Sequence, residues 1–200
     1  MEEIIELDKK ILLFFNGYHT PWLDPVMLLV TKTVFWIPLY LFLLYLVMKD
    51  YKKESWMVLL GIGLTILLAD QITSSFMKPY FARLRPSLEP TLQGLVHLVD
   101  GYTGGKFGFA SSHAANTLGT ATFFWLLFNK EKRWVGLLFL WAFGMTYTRI
   151  YLGVHYPGDI LVGSLIGILS GIAGYRLYTW IRSRNERKKT TATNSLGNGA

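Results

Sequence analysis

Five stretches of this 200-residue chain are apolar over enough residues to cross a bilayer, and they limit the fold more than any other feature. A helix that spans the hydrocarbon core needs about 20 predominantly apolar residues. Segments 26–48 and 56–77 meet that length, with Lys32 and Asp70 as their charged interruptions. Segments 112–128 and 134–149 are shorter. Segment 160–180 carries Arg176 near its end, where a long stem can carry the charge to the interface. Charged residues make up 16% of the chain, against about 25% in a soluble domain. The absence of cysteine excludes a disulfide scaffold and any cysteine-ligated metal site. The pattern predicts an all-α fold, an integral membrane bundle of five transmembrane helices. Residues 1–181 form one membrane-embedded domain.

The first 20 residues read differently. Ile4, Ile5, Leu7, Ile11, Leu12, Phe14 and Phe15 alternate with Glu2, Glu3, Glu6, Asp8, Lys9 and Lys10. That mixture predicts an amphipathic helix lying in the interface, with a sixth span as the alternative. Its acidic start and interrupted apolar run do not suit a secretory signal. Basic residues then set the orientation. Eleven lie in the connections 49–55 and 129–133 and in the tail 182–200. Five spans place all three on one side, which the positive-inside rule makes cytoplasmic. The tail is basic and then small and polar, a composition that predicts disorder. Gly163, Gly167 and Gly171 recur every fourth residue on the last span, a spacing that lets helices approach closely.

Three polar clusters then fall at the opposite, outer face: Lys78–Pro86, Phe109–His113 and Thr148–Asp159. They are distant in sequence and brought together by topology. Lys78, Arg85 and Arg149 can converge on one anion, the arginines as planar forks and the lysine as a point charge. Ser111 and Ser112 sit where a helix begins, and free backbone N–H groups there bind phosphate. His155 and Asp159 lie four apart around a Pro-Gly turn, so the carboxylate can hold one imidazole nitrogen and leave the other as a nucleophile. His113 supplies a second imidazole for acid–base work. Singly, each has a structural reading: an interfacial anchor, a solvated histidine, a helix cap. Together on one face they point to phosphoryl chemistry. An anion channel or transporter is the non-enzyme alternative, and it leaves the two histidines and the aspartate without a use. Asp70 is either a partner for Lys32 or a group beneath the site. His19 and His97 fall outside the clusters and are expected at the surface. The outer segment 78–111 is long for an unstructured connection and is expected to hold short helices or a lid.

The clusters resemble the three motifs of the type 2 phosphatidic acid phosphatase superfamily: K-x6-R-P, P-S-G-H and S-R-x5-H-x3-D. Lys78, Arg85 and Pro86 match the first. Ala110-Ser111-Ser112-His113 keeps the serine and histidine of the second, and Thr148-Arg149, His155 and Asp159 keep the third with threonine for serine. The resemblance implies a metal-independent lipid phosphatase without a cofactor. In it His155 attacks phosphorus to give a phosphohistidine, Asp159 orients it, and His113 is the acid–base group. Lys78, Arg85, Arg149, Ser111 and the Ser112 region would bind phosphate. The compact size suits a bacterial envelope lipid, with undecaprenyl diphosphate first. Phosphatidylglycerol phosphate, phosphatidate and lipid A are alternatives. The expected location is the inner membrane with the site facing the periplasm and the C-terminus in the cytoplasm. The expected partners are the bilayer and a lipid phosphate, and no nucleic acid.

Overall fold

A computed structural model describes residues 2–197. In chain order the helices are α1 (Glu2–Asn16), α2 (Asp24–Val30), α3 (Ile37–Tyr51), α4 (Ser55–Asp70), α5 (Lys78–Phe81), α6 (Ser112–Phe128), α7 (Leu137–Tyr151) and α8 (Pro157–Gly197). An isolated bridge, Leu84 to Phe107, is the one β-type pairing among the described residues. The stretches 33–81 and 157–190 are each long and apolar enough to cross a bilayer. The first turns at Lys52, whose φ is 47°.

α8 is the central element and packs along α6 and α4. Its faces explain why. Gly163, Gly167 and Gly171 face α6 so closely that a Cβ on Gly171 would lie 2.6 Å from the Gly119 carbonyl. On the other side Leu161, Leu165 and Leu169 are exposed, as are Leu137, Leu140 and Phe143 on α7. An outward leucine stripe is what a lipid-facing helix presents. Inside a bilayer such leucines gain nothing by pairing, so backbone proximity and close packing hold the helices together. The packed interior between α3, α4, α6, α7 and α8 includes Leu43, Val47, Met57, Phe123, Phe128 and Tyr178.

One end of the bundle gathers the basic connections. Lys132 pairs with Asp50 at 2.6 Å and Lys189 with Glu54 at 2.9 Å, so the two short connections and the tail meet there. Motif residues lie at the other end, as the charge pattern requires.

Two differences from the sequence reading concern boundaries. The expected span 26–48 is broken at Lys32, which is extended (φ −76°, ψ 127°) and exposed, and α2 packs beside α7 as a separate element. Lys32 therefore does not pair with Asp70, whose Oδ1 accepts from Ser74 at 3.1 Å. The basic tail is helical rather than disordered as far as Gly197. Pairs such as Arg182–Glu186, four residues apart at 2.9 Å, support that extension. Residues 198–200 of the expected tail lie outside the described residues.

At the motif end, α1 docks on α7 and α8. Asn16 is its anchor: its Nδ2 donates to the carbonyl of Tyr151 at 2.7 Å, and its Oδ1 accepts from the His97 amide at 2.7 Å. His97 is not a free surface group. It stacks on His19 at 3.6 Å and meets Asp24 Oδ1 at 3.0 Å, and Tyr151 donates to the same oxygen at 2.6 Å. The outer segment is thus stitched to α1, α2 and α7. As expected, it contains short turns, the 3-10 helices Pro86–Leu88 and Pro90–Leu92.

Candidate active site

Each motif enters the site from a helix end. Before Lys78, α4 runs into a π-helical segment, Gln71–Met77. Such segments widen a helix and recur at functional sites. This one faces Thr73 and Ser74 toward α6, where both meet the Ser112 hydroxyl at 2.9 and 2.8 Å. Lys78 Nζ donates to the same oxygen at 2.6 Å and lies 3.3 Å from Ser74 Oγ. Asp70 ends this chain through Ser74, so it does lie beneath the site. Ser112 is therefore the hub of a hydroxyl network that holds Lys78. Ser111 caps α6, with extended backbone and an Oγ that accepts from the Ala114 amide at 3.4 Å. Its own amide donates to the Asp159 carbonyl at 3.0 Å, joining the second and third motifs directly.

Arg149 reaches the site from the end of α7. It is 1% exposed. Its Nη1 donates to Thr31 Oγ1 at 2.5 Å and its Nη2 to the Tyr102 hydroxyl at 3.3 Å. Thr148 also donates to Thr31, at 3.0 Å. Arg85 Nε donates to the Phe107 carbonyl at 3.2 Å, and its guanidinium lies so close against Gly104 that it leaves no room for a Cβ there. Arg85 Nη1 and Arg149 Nε are buried and have no acceptor among the described residues. A buried guanidinium donor without an acceptor costs free energy, and a bound oxyanion would supply such an acceptor.

His155 occupies the loop between α7 and α8. Its Nδ1 lies 3.3 Å from Asp159 Oδ2, an oxygen that also accepts the Tyr156 amide at 3.0 Å. His155 is 1% and Asp159 0% exposed. Burial, then the nearby Arg149, Arg85 and Lys78 cations, hold the imidazole pKa well below its ordinary value. The ring is therefore neutral at physiological pH, with Nδ1 directed at the carboxylate and Nε2 left as a lone-pair nitrogen. His113, at the start of α6, meets the backbone of Thr31, the residue whose hydroxyl accepts from Arg149. The site therefore holds two imidazoles, one buried carboxylate and three cations, Lys78 from α5, Arg85 from the outer segment and Arg149 from α7, a set suited to attack on a phosphate.

All the residues read from the motifs converge. Four contributors were not visible in them: Thr31 and Tyr102, which hold Arg149, and Arg83 and Asp8, which are linked to Asp159. No fixed spacing marks Thr31 or Asp8, because α1 and α2 reach the site only by folding over it. Of the aromatic residues near the first motif, Phe76, Tyr80 and Phe81 are exposed beside Lys78, whereas Tyr102 turns inward onto Arg149.

Residues 58–183 match the PAP2 superfamily. The chain is 44% identical to a lipid A 4'-phosphatase of Bacteroides thetaiotaomicron over 181 residues, covering 89% of this chain and 78% of that protein. It is 37% identical to a lipid A 4'-phosphatase of Porphyromonas gingivalis over 188 residues, covering 92% and 78%. The crystal structure of Aquifex aeolicus LpxE superposes with a TM-score of 0.63 at 28% identity, covering 85% of this chain and 95% of that one. Matched over more than half its length and carrying the histidines, aspartate and cations of all three motifs, the chain belongs to the PAP2 superfamily and is an integral membrane lipid phosphatase of its metal-independent phosphoric ester hydrolase class.

Proposed function

We propose that the protein removes a phosphate monoester from lipid A, the phosphorylated glucosamine lipid of a bacterial outer membrane, by way of a phosphohistidine. Identity of 44% to a lipid A 4'-phosphatase over nearly the whole chain carries this choice. It displaces undecaprenyl diphosphate, which the compact size of the chain favours, in preference for one of its alternatives.

The geometry supports the following chemistry. Asp159 holds the Nδ1–H of His155, so Nε2 attacks phosphorus. The bond from phosphorus to the lipid oxygen breaks as His113 gives that oxygen a proton. Water then loses a proton to His113 and attacks phosphorus, and the N–P bond breaks to release inorganic phosphate. Lys78, Arg85, Arg149 and the Ser111–Ser112 end of α6 stabilise the charge on the transferring oxygens.

A second feature favours a lipid. An apolar cavity of about 420 Å³ lies between α3, α4 and α6, with Tyr40, Leu44, Ile62, Ile66 and His113 among its lining residues. An acyl chain seated there places its headgroup at the histidines. The exposed Phe76, Tyr80 and Phe81 sit where an interfacial aromatic belt would lie. We place the five long helices α3, α4, α6, α7 and α8 across the inner membrane. The site then faces the periplasm, α1 lies in the interface and the basic end is cytoplasmic.

The test is phosphate release by purified protein in detergent with EDTA present. The panel compares lipid A, undecaprenyl diphosphate, phosphatidylglycerol phosphate and phosphatidate, for wild type, His155→Ala and His113→Ala. Lipid A should be the best substrate, and each variant should lose at least about 10²-fold in kcat. Preference for another lipid refutes the substrate. Near-normal turnover in His155→Ala refutes the nucleophile.

A further inference from the structure

Arg83 lies inside the first motif at a position the motif leaves open, and it is the cation in contact with Asp159 among the described ion pairs. Its Nη1 donates to Asp159 Oδ1 at 2.9 Å and its Nη2 to Asp8 Oδ2 at 2.7 Å. The guanidinium lies over the Tyr156 ring, 3.8 Å from its centroid. Asp8 uses its other oxygen to accept the Gly158 amide at 2.8 Å, capping the first turn of α8 from α1. Asp159 uses its other oxygen for His155 Nδ1 and the Tyr156 amide. Three separate elements therefore close one circuit: α1 through Asp8, the outer segment through Arg83, and the start of α8 through Gly158, Asp159 and His155.

We propose that Arg83 is a positioning residue for the nucleophile, and that through Asp8 the N-terminal helix α1 is a working part of the active site. This rests on the reading of His155 as nucleophile. The reasoning is electrostatic. Asp159 is fully buried, and a buried carboxylate deprived of its paired cation carries a large desolvation penalty. It then holds a proton, and a carboxylic acid no longer accepts the Nδ1–H of His155 as a carboxylate does. The imidazole becomes free to carry its proton on Nε2, the nitrogen that must attack. Arg83 does not belong to the anion-binding set, because both of its terminal nitrogens are engaged by carboxylates. Its loss should lower turnover and leave substrate binding nearly intact, the opposite of losing Arg85 or Arg149.

The experiment compares wild type, Arg83→Met, Arg83→Lys, Asp8→Asn and His155→Ala, all in detergent, with monodispersity and helicity confirming the fold. Steady-state phosphate release from the lipid that wild type turns over gives kcat and KM. Nitrogen-15 NMR of labelled histidines gives the tautomer of His155, identified by the resonance missing in His155→Ala. Arg83→Met should lower kcat about 30–100-fold with KM within about threefold, and Arg83→Lys should recover most of the loss. Asp8→Asn, which keeps the Arg83–Asp159 pair, should lower kcat about 3–10-fold with KM again unmoved. In wild type His155 should carry its proton on Nδ1, and in Arg83→Met the proton should move to Nε2 or divide between the two. An unchanged kcat, a rise in KM with kcat intact, or an unmoved tautomer overturns the proposal. If Arg83→Met does not fold, the same readouts on Arg83→Lys and Asp8→Asn decide it, and an Asp8→Asn protein with wild-type kcat refutes the role of α1. Wild-type turnover in His155→Ala would refute the nucleophile separately, while the tautomer measurement still tests Arg83.

Discussion

Adding one methyl group at Gly163 should disable the site without changing any side chain assigned to phosphate. A Cβ there would meet the Ser111 backbone, overlapping its carbonyl oxygen and lying 3.2 Å from its carbonyl carbon and its nitrogen. Backbone atoms cannot rotate aside as a side chain can. Ordinary contact begins at 3.4 Å, so α8 and the start of α6 must separate by about 1 Å, and overpacking of this kind costs about 1–3 kcal/mol. The separation falls where function is most sensitive. Ser111 precedes His113 by two residues and binds the Asp159 carbonyl through its amide at 3.0 Å, so moving it pulls the two imidazoles apart. A displacement of about 1 Å in a reacting pair costs about 10²-fold in rate. Gly171→Ala is the matched control. Its Cβ would lie 2.6 Å from the Gly119 carbonyl, a comparable insult about 12 Å further along the same helix. Both variants should lose thermal stability in detergent, but kcat should fall about 10²-fold for Gly163→Ala and less than about fivefold for Gly171→Ala. The assay is lipid phosphate release at matched amounts of monodisperse protein. Equal losses in the two variants, or wild-type kcat in Gly163→Ala, would refute the argument that the glycine stripe sets the register of the two motifs.

Other consequences can be measured directly. Because the native fold keeps His155 neutral well below its ordinary pKa of 6.5, the unfolded chain binds the extra proton as pH falls. Stability is therefore fully present above about pH 6.5 and is lost on acidification by up to about 1.4 kcal/mol per pH unit from this group. Thermal unfolding at pH 7.5 and pH 5.0 should differ less in His155→Asn than in wild type, and an unchanged difference contradicts the assignment. Thr31→Val keeps the shape but removes the acceptor for Arg149 Nη1. Loss of a hydrogen bond to a buried charge should cost about 1.5–3 kcal/mol, read as a rise of about 10–100-fold in KM for the lipid phosphate. Orthovanadate should inhibit competitively with inorganic phosphate, and should bind more weakly to Arg85→Met; indifference to millimolar vanadate contradicts a site shaped for a five-coordinate phosphorus.

Much of this protein was legible in one dimension because membrane helices announce themselves by length and apolarity, and because the motif residues sit at fixed distances along single helix ends. Lys78 and Arg85, His113, and Arg149 with His155 and Asp159 were readable for that reason, and so was their meeting at one face once the basic connections fixed the topology. Boundaries were less legible. The break at Lys32 follows from extended backbone that no residue type nearby demands, and hydropathy runs straight through it. Helix through the basic tail was hidden because composition registers charge, while the pairing of Arg182 with Glu186 depends on helical phase.

The sequence by itself determined a helical membrane protein with a phosphate-binding, two-histidine chemistry at one end, since those are properties of residue type and local spacing. Tertiary structure decided how that chemistry is held. Thr31 and Tyr102 grip Arg149, the Ser112 hydroxyl gathers Thr73, Ser74 and Lys78, and Asp8 and Arg83 reach Asp159. Each is a contact between elements dozens of residues apart. Hydrogen bonds of that kind depend on where whole helices come to rest, and in a bundle whose lipid-facing surface gains nothing from burial, that position is set by the close approach of α6 and α8 across a stripe of glycines.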